Sequence, residues 1–419
     1  MKIAIIGGGS TYSPELAQGF GRLEELLGVD ELVMQDVDSD RLEVVGGAAQ
    51  RIASAHGYHG ALKLTGDVDA AVDGASAVLL QIRVGGQAAR LGDETIPLRC
   101  GCVGQETTGA GGFAKALRTV PVVLDIAERV RRQGADDARI IDFTNPVGIV
   151  TRALLDHGHR AIGLCNVAIG FQRLFASWLG VAPEEVQLGH AGLNHLTWIR
   201  TVWVNDEDAL PALLRAHGDE IAEHIQLPRR IIDNLGAIPS YYLRYYYQHD
   251  LVVQELLESR SRAEEVMDVE RELLTLYRDP ALHDTPELLM QRGGAYYSEA
   301  AINLLAALFG DSPSVEVVDV RNNGILPELP ADTVIEVPAR VGAGGAEPLP
   351  VPTLPAHQAG LIAHTAAYEA LTAEAAVSGD REVAFRALLT HPLIGQSGIA
   401  EQLLADLLAA NRAFLPAFA

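Results

Sequence analysis

Short apolar runs alternate with amphipathic stretches over the first 170 residues. "KIAIIG" (2–7) reads as a buried strand, because its apolar residues fall on both faces of a period-two repeat. "SPELAQGFGRLEELL" (13–27) reads as the next helix, with Ser13 as N-cap and Pro14 in its first position. "ELVMQDVD" (31–38) is a second strand and "DRLEVVGGAAQRIASAHG" (40–57) a second helix. "ASAVLLQIRV" (75–84), "ARIIDFTNP" (138–146) and "AIGLCN" (161–166) are further apolar runs that end in polar residues. A long helical pattern, "AKALRTVPVVLDIAERVRRQ" (114–133), lies between two of them. This alternation predicts an α/β fold with a doubly wound parallel sheet of Rossmann type.

After about residue 170 the pattern changes. "EEVQLGHAGLNHLTWIRTVWV" (184–204) predicts antiparallel strands. Helical patterns follow around 209–226, 252–277 and 285–309. Strands are expected at "SVEVVDVRN" (314–322) and "DTVIEVPARV" (332–341), then a surface loop at "GAGGAEPLPVPTLP" (342–355) and helices to the end. The expected organisation is a dinucleotide-binding domain over 1–170 and an α+β domain over 171–419 for substrate, metal and oligomer contacts.

Composition narrows the choice of partner. The formal net charge is −23 and only three basic residues are lysines. Such a chain is a poor partner for nucleic acid or an anionic membrane. A phosphorylated ligand would need local arginines. Three cysteines, an odd number in a long chain, point to a reducing cytoplasm and not a disulfide framework. No apolar run is long enough for a transmembrane helix.

The chemistry-bearing residues gather at predicted strand ends. "IGGGS" (6–10) places Gly7, Gly9 and Ser10 between strand and helix, where backbone amides can approach a pyrophosphate. The GxGxxG pattern is incomplete, with Tyr12 at the third glycine. Asp36 ends the second strand, where an acid can bind a ribose diol and favours NAD over NADP. These two features favour dinucleotide binding over a bare structural turn. "GQETTGAGGFAKALR" (104–118) fits a ligand-closing loop or an ordinary helix start equally well. Cys165 and His195, thirty residues apart, could share a divalent ion with open positions, although spacing alone favours two buried core residues. "IPSYYLRYYYQHD" (238–250) holds five of the eleven tyrosines and by itself reads as a packed aromatic face. Arg90 and Arg262 read as surface arginines, and Asn145 ends a strand on the same edge as Cys165.

In their order, "IGGGS", "RVGG" with Arg90, Asp93 and Glu94 after it, "GQETTGAGGFAKALR", "DFTNP", "CNVAIG", "GLNH", "IPSYYLRYYY", "RAEEVM" and "RGGAYYSEAA" resemble glycoside hydrolase family 4 over essentially the whole chain. Members depend on NAD and a divalent metal and share the lactate/malate dehydrogenase fold. The resemblance implies that Cys165 and His195 hold a manganese-type ion and that Tyr242 is the catalytic base. It implies that Arg90, Asn145, Asn166 and Arg262 contact substrate, the arginines reading a sugar phosphate. "CN" at 165–166 resembles the 6-phospho-β-glucosidase branch, whereas the 6-phospho-α-glucosidase branch carries aspartate at the second position. The implied substrate is a phosphorylated glucoside such as cellobiose 6-phosphate, and the implied assembly a homodimer or homotetramer. Two departures stand at Ala110 and Ala168, where the branch often has proline; a loosened loop is the expected consequence.

The implied chemistry departs from the two-carboxylate scheme of most glycosidases. NAD⁺ takes hydride from sugar C3, the ketone acidifies the C2 proton, and the base removes it as the C1 group leaves. Water then adds and the hydride returns. Three rivals remain: an NAD-dependent 2-hydroxy-acid dehydrogenase, which gives Cys165 no task; another family 4 specificity (6-phospho-α-glucosidase, α-galactosidase or α-glucuronidase); and a non-catalytic sensor.

Overall fold

The computed structural model describes residues 1–22, 27–293 and 296–418. Six parallel strands form the first half: β1 (Lys2–Ile6), β2 (Glu31–Gln35), β3 (Ala61–Thr65), β4 (Ala77–Leu80), β5 (Arg139–Asp142) and β6 (Ala161–Gly163). Their order is β6-β5-β4-β1-β2-β3, the doubly wound arrangement expected from the alternation. β3 was not legible in the pattern, because its residues are half-buried or exposed at the sheet edge. β1 shows why the inner strands form. Ile3 and Ile5 enter one core, while Ala4 and Ile6 enter another on the opposite face. A fully buried aliphatic side chain of this kind contributes about 1.5–3 kcal/mol.

The second half adds β7 (Gln187–Leu193), β8 (Leu196–Val204), β9 (Glu207–Asp208), β10 (Ile238–Pro239), β11 (Ser314–Arg321), β12 (Val334–Gly342) and β13 (Gly345–Pro348). β11 pairs antiparallel with β6 at Asp319 and Gly163, and β12 with β7 at Glu336 and Gly192. One sheet therefore runs through both halves. The last helices, Ala356–Ser378, Arg381–Thr390 and Ser397–Ala410, turn back onto the first half. Their Tyr368, Ala387 and Leu403 share a core with Ile6, Val78 and the helix Gly109–Gln133.

Several local expectations change. The helical pattern at 252–277 is two helices, His249–Glu258 and Arg262–Tyr277. Ser261 starts the second through a capping box with Glu264, which satisfies helix-start amides and ends the first. Around 285–309 a 3-10 turn, Glu287–Arg292, precedes the helix Tyr297–Phe309. Ser13 is the first residue of its helix, Ser13–Arg22, and the rest of the expected helix at 23–26 lies outside the described residues. So do residues 294–295 of "RGGAYYSEAA". The Gly/Pro loop opens with the β12–β13 hairpin before it becomes irregular. Ala110 and Ala168 are buried in the first turns of the helices Gly109–Gln133 and Val167–Leu179, not in loops. Alanine is a strong helix former, so these positions do not loosen the chain.

Candidate active site

A continuous cavity of about 1640 Å³ runs along the C-terminal ends of β1, β2, β4, β5 and β6. The doubly wound fold puts ligands there, beyond the carboxyl ends of the strands. Gly7, Gly9, Ser10, Asp36, Arg90, Asn145, Asn166, Tyr242 and Arg262 all line it.

The glycine turn follows β1. Gly7 has φ +87°, and a Cβ there would meet the Gln81 carbonyl oxygen at 2.8 Å. Gly9 donates its amide to Asp36 Oδ2 at 2.9 Å, and a Cβ at Gly9 would strike the same carboxylate. The bare backbone of this turn and the acid beside it fit a pyrophosphate and its ribose.

Tyr242 lines the other wall, while His195 and Cys165 are buried and do not line the cavity themselves. β7 and β8 join through a two-residue turn, with Leu193 paired to Leu196. His195 sits in that turn at φ +65°. A side chain in the left-handed region costs some strain, although histidine is among the residue types that adopt it most readily. Its ring is fixed by a 3.0 Å hydrogen bond between Nδ1 and the Thr107 hydroxyl, which leaves Nε2 for another partner. The neighbouring Asn194 donates to Glu336 Oε2 at 2.8 Å, and Glu336 Oε1 bonds His190 Nε2 at 2.6 Å. Burial pushes the His195 imidazole down to about 4, so the ring is neutral at pH 7.

Tyr242 lies flat on His195, with ring centroids 3.6 Å apart and planes within 7°. Burial raises its phenol, as do Cys165, Glu106 and Tyr241, while Arg90 lowers it. Tyr241 meets Tyr242 edge-on at 5.8 Å and also lines the cavity. The tyrosine run is a 3-10 turn, Tyr241–Leu243, followed by the short helix Arg244–Tyr247, so it is not one packed helix face. Cys165 is buried just past β6. Burial and then Glu336 hold its thiol well above the ordinary value; the Val167 amide and the Asn194 side chain pull it back.

Thiolate and imidazole suit a first-row divalent ion. Among the described residues no group of three or more His, Cys, Asp or Glu side chains converges as a closed cage. Cys165 and His195, both beside Tyr242, would supply two donors and leave positions open.

Sequence reasoning missed the charged group beneath this site. Glu106, from the "GQET" loop, bonds Arg83 and Lys115 Nζ (2.7 Å) and lies 3.4 Å from Arg90. Burial would raise its carboxyl, but the charges of Arg83, Lys115 and Arg90 outweigh burial and hold it well below the ordinary value. Burial and then Arg83 push Lys115 down to about 7. Arg90 is buried, correcting its reading as a surface arginine, and also bonds Glu94 at 2.7 Å. The one acid in "GQETTG" was the available signal. Arg262 stays at the rim, half-exposed, held by Glu265 at 2.8 Å and by the Gln291 carbonyl oxygen at 2.6 Å.

The doubly wound sheet, the glycine turn with its acid, and a tyrosine stacked on histidine define a nucleotide-binding α/β enzyme. Its backbone is similar to malate dehydrogenase from Salinibacter ruber (TM-score 0.54, 16% identity, 91% of this chain and 99% of that one), a likeness of fold alone. The family model "Family 4 glycosyl hydrolase" matches residues 2–181, and "Family 4 glycosyl hydrolase C-terminal domain" matches 190–394. The chain belongs to family 4 of the glycosyl hydrolases. It is 37% identical over 433 residues to a probable 6-phospho-β-glucosidase of Bacillus subtilis, covering 100% of this chain and 98% of that protein. The solved 6-phospho-β-glucosidase of Thermotoga maritima, with manganese, NAD⁺ and glucose 6-phosphate, is 36% identical at TM-score 0.94 and covers 99% of both chains. No helix among the described residues is long and apolar enough to cross a membrane.

Proposed function

We propose that this chain hydrolyses 6-phospho-β-glucosides to glucose 6-phosphate and an aglycone, using NAD and a divalent metal, most suitably manganese. The carrying observation is Tyr242, which lines the cavity that holds the glycine turn and Asp36, feels the charge of Cys165, and stacks on His195 behind it. When bound, NAD supplies reversible oxidation at sugar C3 and the divalent ion supplies Lewis-acid stabilisation of developing oxyanion charge.

The chain's own residues have separate tasks. Gly7, Gly9, Ser10 and Asp36 hold the dinucleotide, and Cys165 and His195 hold the ion. Asn145 and Asn166, just past β5 and β6, orient sugar hydroxyls; Asn145 Oδ1 is buried without a partner among the described residues. Arg90 and Arg262 take phosphate oxygens. Tyr242 accepts the C2 proton at its phenolate oxygen as the C1–O bond breaks, and Arg90 is the cation on the chain that favours that phenolate. Asn166 has no acidic proton, so water protonates the leaving aglycone; this residue also separates the reading from a phospho-α-glucosidase. Residues 1–170 bind the dinucleotide, and 171–419 add His195, Tyr242 and Arg262. The same reading puts a homodimer or homotetramer in a reducing cytoplasm, where the three thiols stay free.

One assay tests this: p-nitrophenyl β-glucoside with and without its 6-phosphate, with and without NAD⁺ and Mn²⁺. Turnover should need phosphate, NAD⁺ and metal together. Full activity after exhaustive removal of bound NAD and metal, or equal turnover of the plain glucoside, would overturn it.

A further inference from the structure

We propose that Phe414, near the end of the chain, forms an aromatic wall of the slot that takes the adenine ring of the dinucleotide. The proposal rests on the NAD-dependent reading above and assigns a residue that no sequence motif pointed to.

A ring of contacts encloses one end of the cavity beyond Asp36. Gly66 lies against the backbone of Asp36, and Val68 opens the next short helix. Asp69 on that helix pairs with Arg129 at 2.9 Å. Arg129, Ile126, Val122 and Arg118 follow one face of the helix Gly109–Gln133, spaced three or four residues apart. Arg118 donates to the Val84 carbonyl oxygen at 2.9 Å and to Asn411 Oδ1 at 3.1 Å. From Asn411 the chain turns, and the Phe414 amide donates to the Asn411 carbonyl oxygen at 2.8 Å. The Phe414 ring then lies over Gly85, where a Cβ would come within 3.1 Å of it. Gln81, which starts the Gln81–Gly85 segment, is packed on Gly7, so the circle closes at the glycine turn.

Val68, Val84, Val122, Ile126 and Phe414 all line the cavity along this ring. Val122 and Phe414 are each 40% exposed, which is high for apolar side chains facing a cavity. With the pyrophosphate at the glycine turn and a ribose on Asp36, a flat, uncharged heteroaromatic base is the part of the cofactor left to fill an apolar slot. A phenyl ring offers such a base a stacking face. The segment that carries the ring is also anchored on both sides, at Asn411 and at Leu415. Leu415 is buried in the core, and Arg118 is locked to Asp93 by bonds of 2.8 and 2.5 Å. Little ordering remains for binding to oppose.

Titration calorimetry on the full chain tests the assignment with NAD⁺, AMP and nicotinamide mononucleotide. Phe414→Ala should weaken NAD⁺ and AMP roughly tenfold and leave nicotinamide mononucleotide unchanged. Phe414→Leu keeps the packing on Gly85 without an aromatic face and should show the same loss, while Phe414→Trp should restore binding. NAD⁺ and AMP affinities unchanged in the Leu variant, or equal losses for all three ligands, would overturn the assignment. Wild-type chain that binds no NAD⁺ removes this slot and the proposed function together. Wild-type chain that binds NAD⁺ through Phe414 but hydrolyses no phosphoglucoside removes only the function.

Discussion

The glycine turn and the tyrosine centre line one cavity, yet they are built in opposite ways. The turn is nearly all backbone. Gly7 to Ser10 are consecutive, and one acid, Asp36, closes on them from the adjacent strand. The tyrosine centre is nearly all side chain. Cys165, His195, Tyr242 and Glu106 come from four separated segments, and each depends on a neighbour for its position or charge. A backbone site tolerates change in side chains that do not fill its cradle. A convergent site fails when any one contributor is lost.

Tyr242→Phe is the sharpest way to separate the two regions. Removing the phenol oxygen should lower turnover by about 10²–10⁴-fold while NAD⁺ affinity stays near wild type. Exchange of the substrate's C2 hydrogen with D₂O should fall in step. If Tyr241→Phe stops that exchange and Tyr242→Phe does not, the base is the adjacent residue, since both rings reach the cavity.

Glu106→Gln should have the next largest effect, and on folding as well as rate. It removes the negative charge that Arg83, Arg90 and Lys115 share, while Arg90 keeps its bond to Glu94. Breaking a buried pair by removing one member costs on the order of 3 kcal/mol. Lys115, already pushed down to about 7, can shed its proton and soften that cost. Chemical denaturation should show a clear drop in midpoint; an unchanged midpoint would mean that the charged group is not coupled to the fold.

The smallest effect is expected at Asp142, the buried last residue of β5. Burial pushes its carboxyl up to about 8, against hydrogen bonds from the Thr144 amide (2.9 Å) and the Thr151 hydroxyl (3.0 Å). The folded value is raised above the ordinary 3.8. Its contribution is therefore full below the ordinary value and is lost as pH rises through about 8. One such proton changes stability by at most about 1.4 kcal/mol per pH unit. Buried Glu369, also raised to about 8, acts in the same direction. Melting temperatures measured between about pH 6 and pH 9 should fall for the wild type and fall less for Asp142→Asn.

The two regions also differ in how much of them could be read from the chain. Strand–helix alternation and the "IGGGS" turn with Asp36 were legible, because period-two burial and a glycine turn are local properties. Family motifs marked Cys165, His195 and Tyr242, although their spacing alone favoured an ordinary core. The strained turn at His195 had one visible sign, a histidine where a two-residue hairpin favours glycine. Glu106 passed unread because its three cationic partners meet it only in the fold.

By itself the sequence determined the doubly wound sheet, the glycine turn after β1 and the identities of the groups available for chemistry, since patterning and residue type act over a few neighbours. Only the tertiary structure decided that β11 and β12 join the two halves into one sheet, that Tyr242 rests on His195, and that Phe414 reaches the wall of the cavity. Those placements follow from burying two faces of one sheet together, a requirement that spans hundreds of residues and leaves no local mark.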